Sequence, residues 1–315
     1  MLSVSKLTKS NIKDIFSLAN QLKNLDYTKT CPKILSGLTV TNVFFEPSTR
    51  TSMSFELAAK KLGANVLNFN YETSSTKKGE SFTDTMRTIQ VYSDCIVLRH
   101  PQNRKIQQAS NCSRIPIINA GNGDGEHPTQ ALLDLYTIDN RFDIISKDSN
   151  NINIIMVGDV YKSRTISSLL FLTKKHTNMK ITLCPYFRDE TMEIDFIAKM
   201  TAMGITCDFN WMDIKNINNK AGEFDIFYMT RFQKERYIKE DMDKSMEKDS
   251  SICVIDSPFM RKIKGNAIIL HPLPRNTEIS EDVDNDDRCL YLNEQLNNGV
   301  YIRMGILAKI LGRNI

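Results

Sequence analysis

Short apolar runs alternate along the chain with segments whose apolar residues recur at helical spacing. The runs have the length and composition of buried strands and span residues 38–45, 65–69, 95–99, 115–119, 152–158, 180–184, 205–209, 225–230, 252–255 and 267–270. Most of the segments between them are long enough for a helix. This alternation predicts βαβ units, and therefore an α/β fold with parallel sheets covered on both faces.

The chain is long enough for more than one core. Its 315 residues suit two domains of roughly 150 residues each. The connection over residues 141–151 is the most polar and the least periodic, so we place the domain boundary there. The last segment, residues 293–311, shows helical spacing only in its second part.

Composition and charge exclude several classes of protein. Hydrophobic residues make up 41% of the chain and the net charge is only +4, which favours neither nucleic acid nor an anionic membrane as a partner. No apolar run approaches the roughly 20 residues of a membrane span, and residues 1–20 lack a signal-peptide core. The seven cysteines show no CxxC pair, so neither a zinc site nor a disulfide framework is expected. We expect a cytoplasmic protein with reduced thiols.

The segment Phe44-Phe45-Glu46-Pro47-Ser48-Thr49-Arg50-Thr51 is the most informative stretch of the chain. It joins a predicted strand to a predicted helix, whose apolar face is indicated by the helical spacing of Phe55, Ala58, Ala59 and Leu62. It also sets three hydroxyls and a guanidinium where the helix begins. The unpaired N–H groups and the positive end of the helix dipole favour an anion there. These groups suit a phosphate, although the segment alone also fits a plain N-cap with Arg50 facing solvent.

Arginine, histidine and glutamine follow most of the other predicted strands. Such residues include Arg99-His100, His127-Pro128-Thr129-Gln130, Ser163-Arg164-Thr165, Thr230-Arg231-Phe232-Gln233 and His271-Pro272-Leu273-Pro274-Arg275. One such arginine is usually a surface charge. Four arginines end the same kind of element, namely Arg50, Arg99, Arg164 and Arg231. Together they predict a site for small polyanions, because ligands of doubly wound sheets bind at the carboxyl ends of strands.

The sequence offers no nucleophile supported by a base and no carboxylates spaced for a metal. It has no GxSxG elbow and no cysteine with a neighbouring histidine. Catalysis would then rest on orientation and on donors aimed at developing negative charge.

Four motifs together resemble the aspartate carbamoyltransferase family. They are Phe44 to Thr51, Gly121 to Gln130, Met229 to Arg236 and His271 to Arg275, and they occur in the order and spacing of that family. The resemblance implies two doubly wound domains. Residues 1–145 would bind carbamoyl phosphate and residues 146–290 would bind aspartate, while residues 291–315 would form a helix that returns to the first domain. It also implies carbamoyl transfer to L-aspartate in de novo pyrimidine biosynthesis, without a cofactor or metal.

The resemblance assigns roles in the carbamoyl phosphate site. The phosphate would be held at the start of the helix, by Ser48, Thr49, Arg50 and Thr51. Thr51, Arg99 and His127 would donate to the carbamoyl oxygen. Gln130, with the backbone carbonyls of Pro272 and Leu273, would hold the NH2 group, and a cis peptide is expected before Pro274.

The resemblance also assigns the second substrate site. Arg164 would bind the α-carboxylate of aspartate, and Arg231 the side-chain carboxylate, supported by Gln233. Ser74 and Lys78 would reach the active site of a neighbouring subunit, with Lys78 catalytic and in contact with aspartate, as Leu273 would also be. This arrangement implies a homotrimer with shared sites. Residues 234–237 match a mobile closure segment.

Some positions depart from the family, and alternatives stay open. Ser52 stands where many members have arginine, and residues 160–163 differ from the usual run before Arg164, whose placement depends on Thr165. Ornithine carbamoyltransferases share the fold but usually read HCLP where this chain has His271-Pro-Leu-Pro274. A non-catalytic homologue is a second alternative. Whether a regulatory chain or other pathway enzymes bind is left open.

Overall fold

The computed structural model describes residues 1–25, 27, 32–147, 152–237 and 253–312. The chain divides into two compact units. The first unit consists of Met1–Tyr136 and Asn297–Ile315, and the second consists of Thr137–Leu296. Cys31 and Ile252 lie outside the described residues.

The first unit contains a parallel sheet of four strands. The strands are β1 (Thr39–Phe44), β2 (Asn65–Asn70), β3 (Cys95–His100) and β4 (Ile117–Asn122), in the order β2-β1-β3-β4. The helices are α1 (Lys9–Lys23), α2 (Thr49–Lys61), α3 (Phe82–Val91), α4 (Arg104–Cys112) and the first part of α5 (Pro128–Phe142). The predicted parallel βαβ arrangement is confirmed.

The core of the first unit lies between its sheet and its helices. Ile96 and Leu98 of β3 pack with Met86 of α3 and Ile106 of α4 in one buried cluster. On α2 the predicted apolar face is fully buried, at Phe55, Ala58, Ala59 and Leu62. Helical spacing therefore identified this face correctly.

The second unit contains a parallel sheet of five strands. The strands are β5 (Asn153–Gly158), β6 (Lys180–Pro185), β7 (Asn210–Trp211), β8 (Ile226–Met229) and β9 (Ile268–Leu270), in the order β7-β6-β5-β8-β9. The helices are α6 (Arg164–His176), α7 (Glu190–Ala202), α8 (Ile217–Lys220) and α9 (Ser257–Met260). Aromatic pairs such as Phe227 with Phe259 fill its core.

The last helix, α10 (Glu294–Ile310), runs from the second unit into the first. Lys309 pairs with Asp14 of α1 at 2.7 Å. A Cβ atom at Gly305 would lie 2.8 Å from the Ile15 carbonyl oxygen, so the two helices pack closely. These contacts place the C-terminal helix against α1, as the resemblance implied. The helix is regular from Glu294 onward, although the sequence shows helical spacing only in the second part of this segment.

Two strand predictions were not met. Residues 205–209 form no strand; the N–H of Ile205 donates instead to the Met200 carbonyl and caps α7, so the apolar run serves the helix end. The edge strand β7 follows it. Of residues 252–255, Ile255 forms only an isolated bridge with Ile279, and Ile252 is not described. Among the described residues, no helix is long and apolar enough to cross a membrane.

The division between the units falls within helices. It lies between Tyr136 and Thr137 in α5 and between Leu296 and Asn297 in α10. The sequence analysis placed the first boundary after residue 145, in the polar connection that follows α5. A polar connection indicates a segment with little packing. The two units, by contrast, are defined by which residues are in contact with one another, and that division can fall inside a helix.

Candidate active site

The start of α2 is built to receive an anion. Ser48 occupies the N-cap position with φ −161° and ψ 83°, but its side chain makes no capping hydrogen bond, and the first turn holds no acidic residue. By contrast, side chains cap the starts of α1, α3, α6 and α7. Like α2, α4 also starts without a side-chain cap. Because Ser48 does not cap them, the first-turn N–H groups of α2 can donate to an anion. This disfavours the plain N-cap interpretation of the segment.

A cavity of about 440 Å³ lies beside this helix start. Its lining includes Glu46, Ser48, Thr49 and residues 68–72. Of the predicted phosphate ligands, the lining contains Ser48 and Thr49 but not Arg50 or Thr51. Thr51 is buried at 6% exposure, whereas the Arg50 side chain is exposed.

Arg99 lies beside the strand that leads into α2. In the parallel register, Arg99 at the end of β3 is opposite Phe44 at the end of β1, and its carbonyl accepts from the Phe45 N–H at 2.9 Å. Its Nη2 forms an ion pair of 2.7 Å with Oε1 of Glu46. The guanidinium thus already holds a carboxylate at the end of the sheet where the anion site was predicted. The sequence analysis did not predict this pair.

His127 and Gln130 lie where α5 begins, after β4. His127 is buried at 4% exposure. The Gln130 N–H donates to the His127 carbonyl at 3.1 Å and makes a longer contact of 3.4 Å with Nδ1. Because Nδ1 accepts, the neutral ring carries its proton on Nε2, which leaves Nε2 as a donor. The Nε2 of the Gln130 side chain donates to Oδ1 of Asp134 at 2.9 Å.

The residue before His127 is held by the start of the chain. Glu126 accepts from the Ser3 hydroxyl at 2.8 Å and from the Val4 N–H at 2.7 Å. The Met1 carbonyl accepts from the Asn119 N–H on β4 at 2.8 Å. Residues 1–35 carry little motif information, yet their first turn is bonded to the loop that carries His127. No sequence signal marked Glu126 as its partner.

In the second unit, Arg164 is the first residue of α6. Ser163 caps this helix by accepting from the Ile166 N–H, and Arg164 is buried at 7% exposure. The preceding turn is fixed by Asp159, which follows β5 and accepts from the Lys162 N–H at 3.2 Å. The alignment of Arg164 by the helix that follows it agrees with this position at a strand–helix junction.

Asp159 also anchors the segment after β8. Its Oδ2 accepts from the Gln233 N–H at 3.1 Å, and its Oδ1 accepts from the Tyr237 hydroxyl at 2.7 Å. Burial raises the pKa of Asp159, while the hydrogen bonds from Tyr237 and Gln233 act in the opposite direction. One buried carboxylate therefore joins the turn before Arg164 to the predicted closure segment.

Arg231 follows β8 and holds a carboxylate of its own. Both terminal nitrogens contact Glu235, with Nη1 at 3.1 Å from Oε2 and Nη2 in a closer contact with Oε1. The Glu235 hydrogen bond raises the pKa of Arg231 further above its ordinary value. The pair has the bidentate geometry with which arginine binds a dicarboxylate.

Pro272 and Leu273 follow β9 in a turn held by His271. The His271 Nδ1 accepts from the Leu273 N–H at 2.7 Å, and its Nε2 lies 2.8 Å from Glu278. Both His271 and Glu278 are about 2% exposed, and the pKa of Glu278 is lowered: burial, the largest single effect, would raise it, but the hydrogen bonds with His271 and the Asn276 N–H, together with the electrostatic effect of His271, outweigh burial. Leu273 has a positive φ of 57°, and the Leu273–Pro274 peptide is cis, as predicted.

The loop that carries Ser74 and Lys78 lies in the first unit. The Ser74 hydroxyl donates to the Tyr71 carbonyl at 2.9 Å. Lys77 pairs with Glu72 at 2.7 Å and lies 4.5 Å from the centre of the Tyr71 ring. Lys78 is exposed, and the described residues provide it with no ion pair. Thus Lys77 is engaged within its own loop, while Lys78 forms no ion pair with a described residue.

Within each unit, the predicted residues collect at one edge of a sheet. In the first unit they follow the neighbouring strands β1, β3 and β4, except for Ser74 and Lys78, which follow β2, and in the second they follow β5, β8 and β9. The carboxyl ends of these parallel strands are where ligands of such sheets bind. No group of three or more histidine, cysteine, aspartate or glutamate residues that could hold a metal ion occurs in the described part of the chain.

Comparisons with known proteins show which family each part of the chain resembles. The family model described as aspartate/ornithine carbamoyltransferase, carbamoyl-P binding domain, matches residues 1–140. The model of the Asp/Orn binding domain of the same family matches residues 150–310.

Individual relatives match over nearly the whole chain. Aspartate carbamoyltransferase 1, chloroplastic, of Pisum sativum is 35% identical over 99% of this chain and 78% of its own length. Multifunctional protein CAD of Squalus acanthias is 38% identical over 99% of this chain, which spans only 13% of that protein. The crystal structure of aspartate transcarbamoylase from Trypanosoma cruzi in complex with carbamoyl phosphate and aspartate is similar, with a TM-score of 0.83 and 33% identity, covering 98% of this chain and 93% of that one.

Proposed function

The chain belongs to the aspartate/ornithine carbamoyltransferase family, and we propose that it transfers the carbamoyl group of carbamoyl phosphate to the α-amino group of L-aspartate. The products are N-carbamoyl-L-aspartate and phosphate, in de novo pyrimidine biosynthesis. The observation that carries the proposal is the uncapped start of α2 with Arg99 on the adjoining strand. The named substrates of the Trypanosoma cruzi complex support the same assignment.

The first unit would bind carbamoyl phosphate. The phosphate would lie against the N-terminus of α2, bonded by Ser48, Thr49, Arg50 and Thr51. Thr51, Arg99 and Nε2 of His127 would donate to the carbonyl oxygen, which becomes an oxyanion when the amine attacks. Each such donor contributes on the order of 100-fold to the rate in comparable sites. When carbamoyl phosphate binds, the Arg99 guanidinium would release the Glu46 carboxylate and pair with the ligand instead.

The NH2 group of carbamoyl phosphate requires acceptors. The side-chain oxygen of Gln130 is one, because its amide nitrogen already donates to Asp134. The carbonyls of Pro272 and Leu273 are the others that we propose, since His271 holds that turn in one conformation. Three acceptors would orient the carbamoyl carbon for attack.

The second unit would bind L-aspartate. Arg164 would pair with the α-carboxylate and Arg231 with the side-chain carboxylate, with Gln233 supporting it. Lys78 and Leu273 would also contact aspartate. The substrate carboxylate would replace Glu235 on Arg231 with the same bidentate geometry. The proton lost by the amine would pass to the departing phosphate, so the reaction needs no separate general base.

The test of this function is an assay of both amines. Purified protein is incubated with carbamoyl phosphate and either L-aspartate or L-ornithine, and the carbamoylated product and released phosphate are measured. We expect N-carbamoyl-aspartate with one phosphate per turnover. Citrulline, or no product with either amine, would falsify the proposal.

We further propose a homotrimer whose active sites share Ser74 and Lys78 across subunits. Support comes from large apolar side chains that are exposed on the first unit: Met53 at 64%, Leu57 at 45% and Leu67 at 46% exposure. Leu67 lies on β2, an edge strand of its sheet. Exposed apolar groups beside an unpaired strand edge commonly mark an interface between chains.

Subunit mixing tests the shared sites. The variants Lys78→Ala and Arg50→Ala should each be almost inactive alone. Hybrid trimers should regain part of the wild-type rate, because some sites then combine an intact Arg50 with an intact Lys78. The measurement is activity after mixing, together with the mass of the assembly in solution. Mixed trimers as inactive as their parents would rule out sharing.

A cytoplasmic location is also proposed, on the state of the thiols. The six described cysteines are free. Burial raises the pKa of Cys95, Cys253 and Cys289 to about 12, so these thiols are unreactive. Free, buried thiols suit a reducing compartment. Fractionation of cells that express the tagged chain tests this location; recovery in an oxidising compartment would contradict it.

A further inference from the structure

Asp134 is a fully buried carboxylate with no role in the reaction proposed above. It lies on α5 one turn after Gln130, is 0% exposed, and accepts from the Gln130 amide nitrogen at 2.9 Å. Glutamine and aspartate at this spacing form an ordinary pair on exposed helices. A buried carboxylate is different, because its desolvation is costly unless an opposite charge compensates for it. The burial of Asp134 therefore calls for an explanation.

Arg303 supplies the opposite charge. It lies on α10 at 3% exposure, and its guanidinium carbon is 5.2 Å from the centre of the Phe55 ring on α2. Its Nη1 donates to the Gly299 carbonyl at 2.9 Å. Burial lowers the pKa of Arg303 to about 10, and the charge of Asp134 acts in the opposite direction. Arg303 therefore stays protonated at neutral pH.

The backbone of α10 makes room for this charge. A Cβ atom at Gly299 would lie 2.6 Å from Nη1 of Arg303 and 3.3 Å from a methyl carbon of Leu133. Only glycine fits there without displacing the guanidinium or the adjacent α5 side chain. The helix is thus shaped around a buried arginine, which a plain apolar packing surface would not require.

The ionised carboxylate determines how the Gln130 amide is turned. A carboxylate only accepts hydrogen bonds, so Gln130 must direct its NH2 group to Asp134. The amide oxygen is then left to accept from a ligand. A carbamoyl group offers an NH2 donor at this point, whereas an acetyl group of the same shape offers a methyl. The orientation of one amide can therefore distinguish the two acyl phosphates.

We propose that Asp134, kept ionised by Arg303, is a positioning residue that fixes the Gln130 amide and so selects carbamoyl phosphate over acyl phosphates that lack the NH2 group. The proposal rests on the proposed function, in which Gln130 accepts from the carbamoyl NH2. All four residues involved, including Phe55, belong to the first unit.

The test measures selectivity rather than activity alone. For each variant, the inhibition constant of acetyl phosphate is divided by the KM of carbamoyl phosphate. In Asp134→Asn, the new amide can donate to the Gln130 side-chain oxygen, which allows the Gln130 amide to rotate and exchange the positions of its oxygen and nitrogen. We expect the ratio to fall by about tenfold, the equivalent of one hydrogen bond. The control Asp14→Asn, an exposed position on α1, should keep the wild-type ratio.

A second background separates positioning from general damage. If Asp134 acts through Gln130, then the double variant Gln130→Ala with Asp134→Asn should have the same ratio as Gln130→Ala alone. A ratio within twofold of wild type in Asp134→Asn overturns the proposal, as does an equal fall in the Gln130→Ala background. Should Asp134→Asn not fold, Arg303→Met is measured with the same two outcomes, because loss of the cation favours a protonated Asp134. A wild type that forms no carbamoyl-aspartate would instead refute the proposed function.

Discussion

At the residue scale, two of the predicted anion-binding arginines already bind carboxylates of the chain itself. Arg99 pairs with Glu46, and Arg231 pairs with Glu235. These internal carboxylates occupy the guanidiniums in the absence of substrate. Substrate binding is then an exchange of one anion for another, which costs less desolvation than burying an unpaired charge.

The exchange at Arg231 leads to a prediction. Arg231→Lys keeps the charge but loses the bidentate fork, so we expect the KM for L-aspartate to rise by at least about tenfold while the KM for carbamoyl phosphate changes little. The measurement is a pair of saturation curves. Arg188→Lys, a partly exposed arginine of the second unit paired with Glu193, is the control and should leave both KM values unchanged. Equal increases in both KM values for Arg231→Lys would contradict its assignment.

A second residue, His100, makes stability depend on pH. It packs 4.9 Å from the Phe45 ring and 5.4 Å from the Phe82 ring, and its Nδ1 accepts from the Gln102 N–H at 2.9 Å. Burial and the nearby Lys105 lower its pKa from 6.5 to about 4. Between these values, only the unfolded chain binds the proton, so stability is lost as the pH falls through this window.

Urea unfolding at pH 7 and pH 5 tests this dependence. The wild type should lose about 1 kcal/mol from this group, after allowance for solvent screening. His100→Asn keeps an acceptor for the Gln102 N–H but cannot titrate, so its loss between the two pH values should be smaller by that amount. Identical losses in both proteins would show that His100 does not titrate as described.

The sequence predicted candidate ligand-facing residues but not the residues that hold them. Arg50, Arg99 and Arg231 could be predicted because each follows an apolar run. Asp134 could not, since nothing near it in sequence shows that it is buried or that its charge acts on the buried Arg303. Its partner lies on another helix far along the chain, and only the fold brings the two together.

At the element scale, helix and strand positions followed the apolar pattern wherever an element was long and had a buried face. The apolar face of α2 and the strands β1 and β3 were predicted almost to their ends. The short edge strand β7 was misplaced, because Asn210–Trp211 carries too few residues for a period and the apolar run before it caps α7. Short elements are decided by tertiary contacts rather than by pattern.

The short turn at Val4–Lys6, before α1, leads to a further prediction. Glu126 accepts from Ser3 and Val4 and thereby ties the first turn of the chain to the loop of His127. Glu126→Gln keeps the shape but replaces one acceptor with a donor. We expect a loss of about 1–3 kcal/mol in the free energy of unfolding, together with a lower kcat.

Chemical denaturation and steady-state kinetics check this expectation. Glu56→Gln, which breaks an exposed i,i+4 pair with Lys60, is the matched control and should cost less than about 1 kcal/mol. A Glu126→Gln protein as stable and as active as the wild type would show that the first turn does not support the His127 loop.

At the scale of the whole molecule, the predicted residues of each unit, apart from Ser74 and Lys78, follow three neighbouring parallel strands. In the first unit these residues suit a phosphate and a carbonyl oxygen, and in the second they suit two carboxylates. The α/β class and the two-unit organisation followed from the alternation of apolar runs. The positions of the unit boundaries did not, because they lie inside the continuous helices α5 and α10.

The central claim is that this chain carbamoylates aspartate, and a competition between amines tests it most directly. Purified protein is given carbamoyl phosphate with equal concentrations of L-aspartate and L-ornithine, and mass spectrometry quantifies both carbamoylated products against released phosphate. We expect N-carbamoyl-L-aspartate as the only carbamoylated product, in a one-to-one ratio with phosphate. Citrulline as the main product, or phosphate release without any carbamoylated amine, would contradict it.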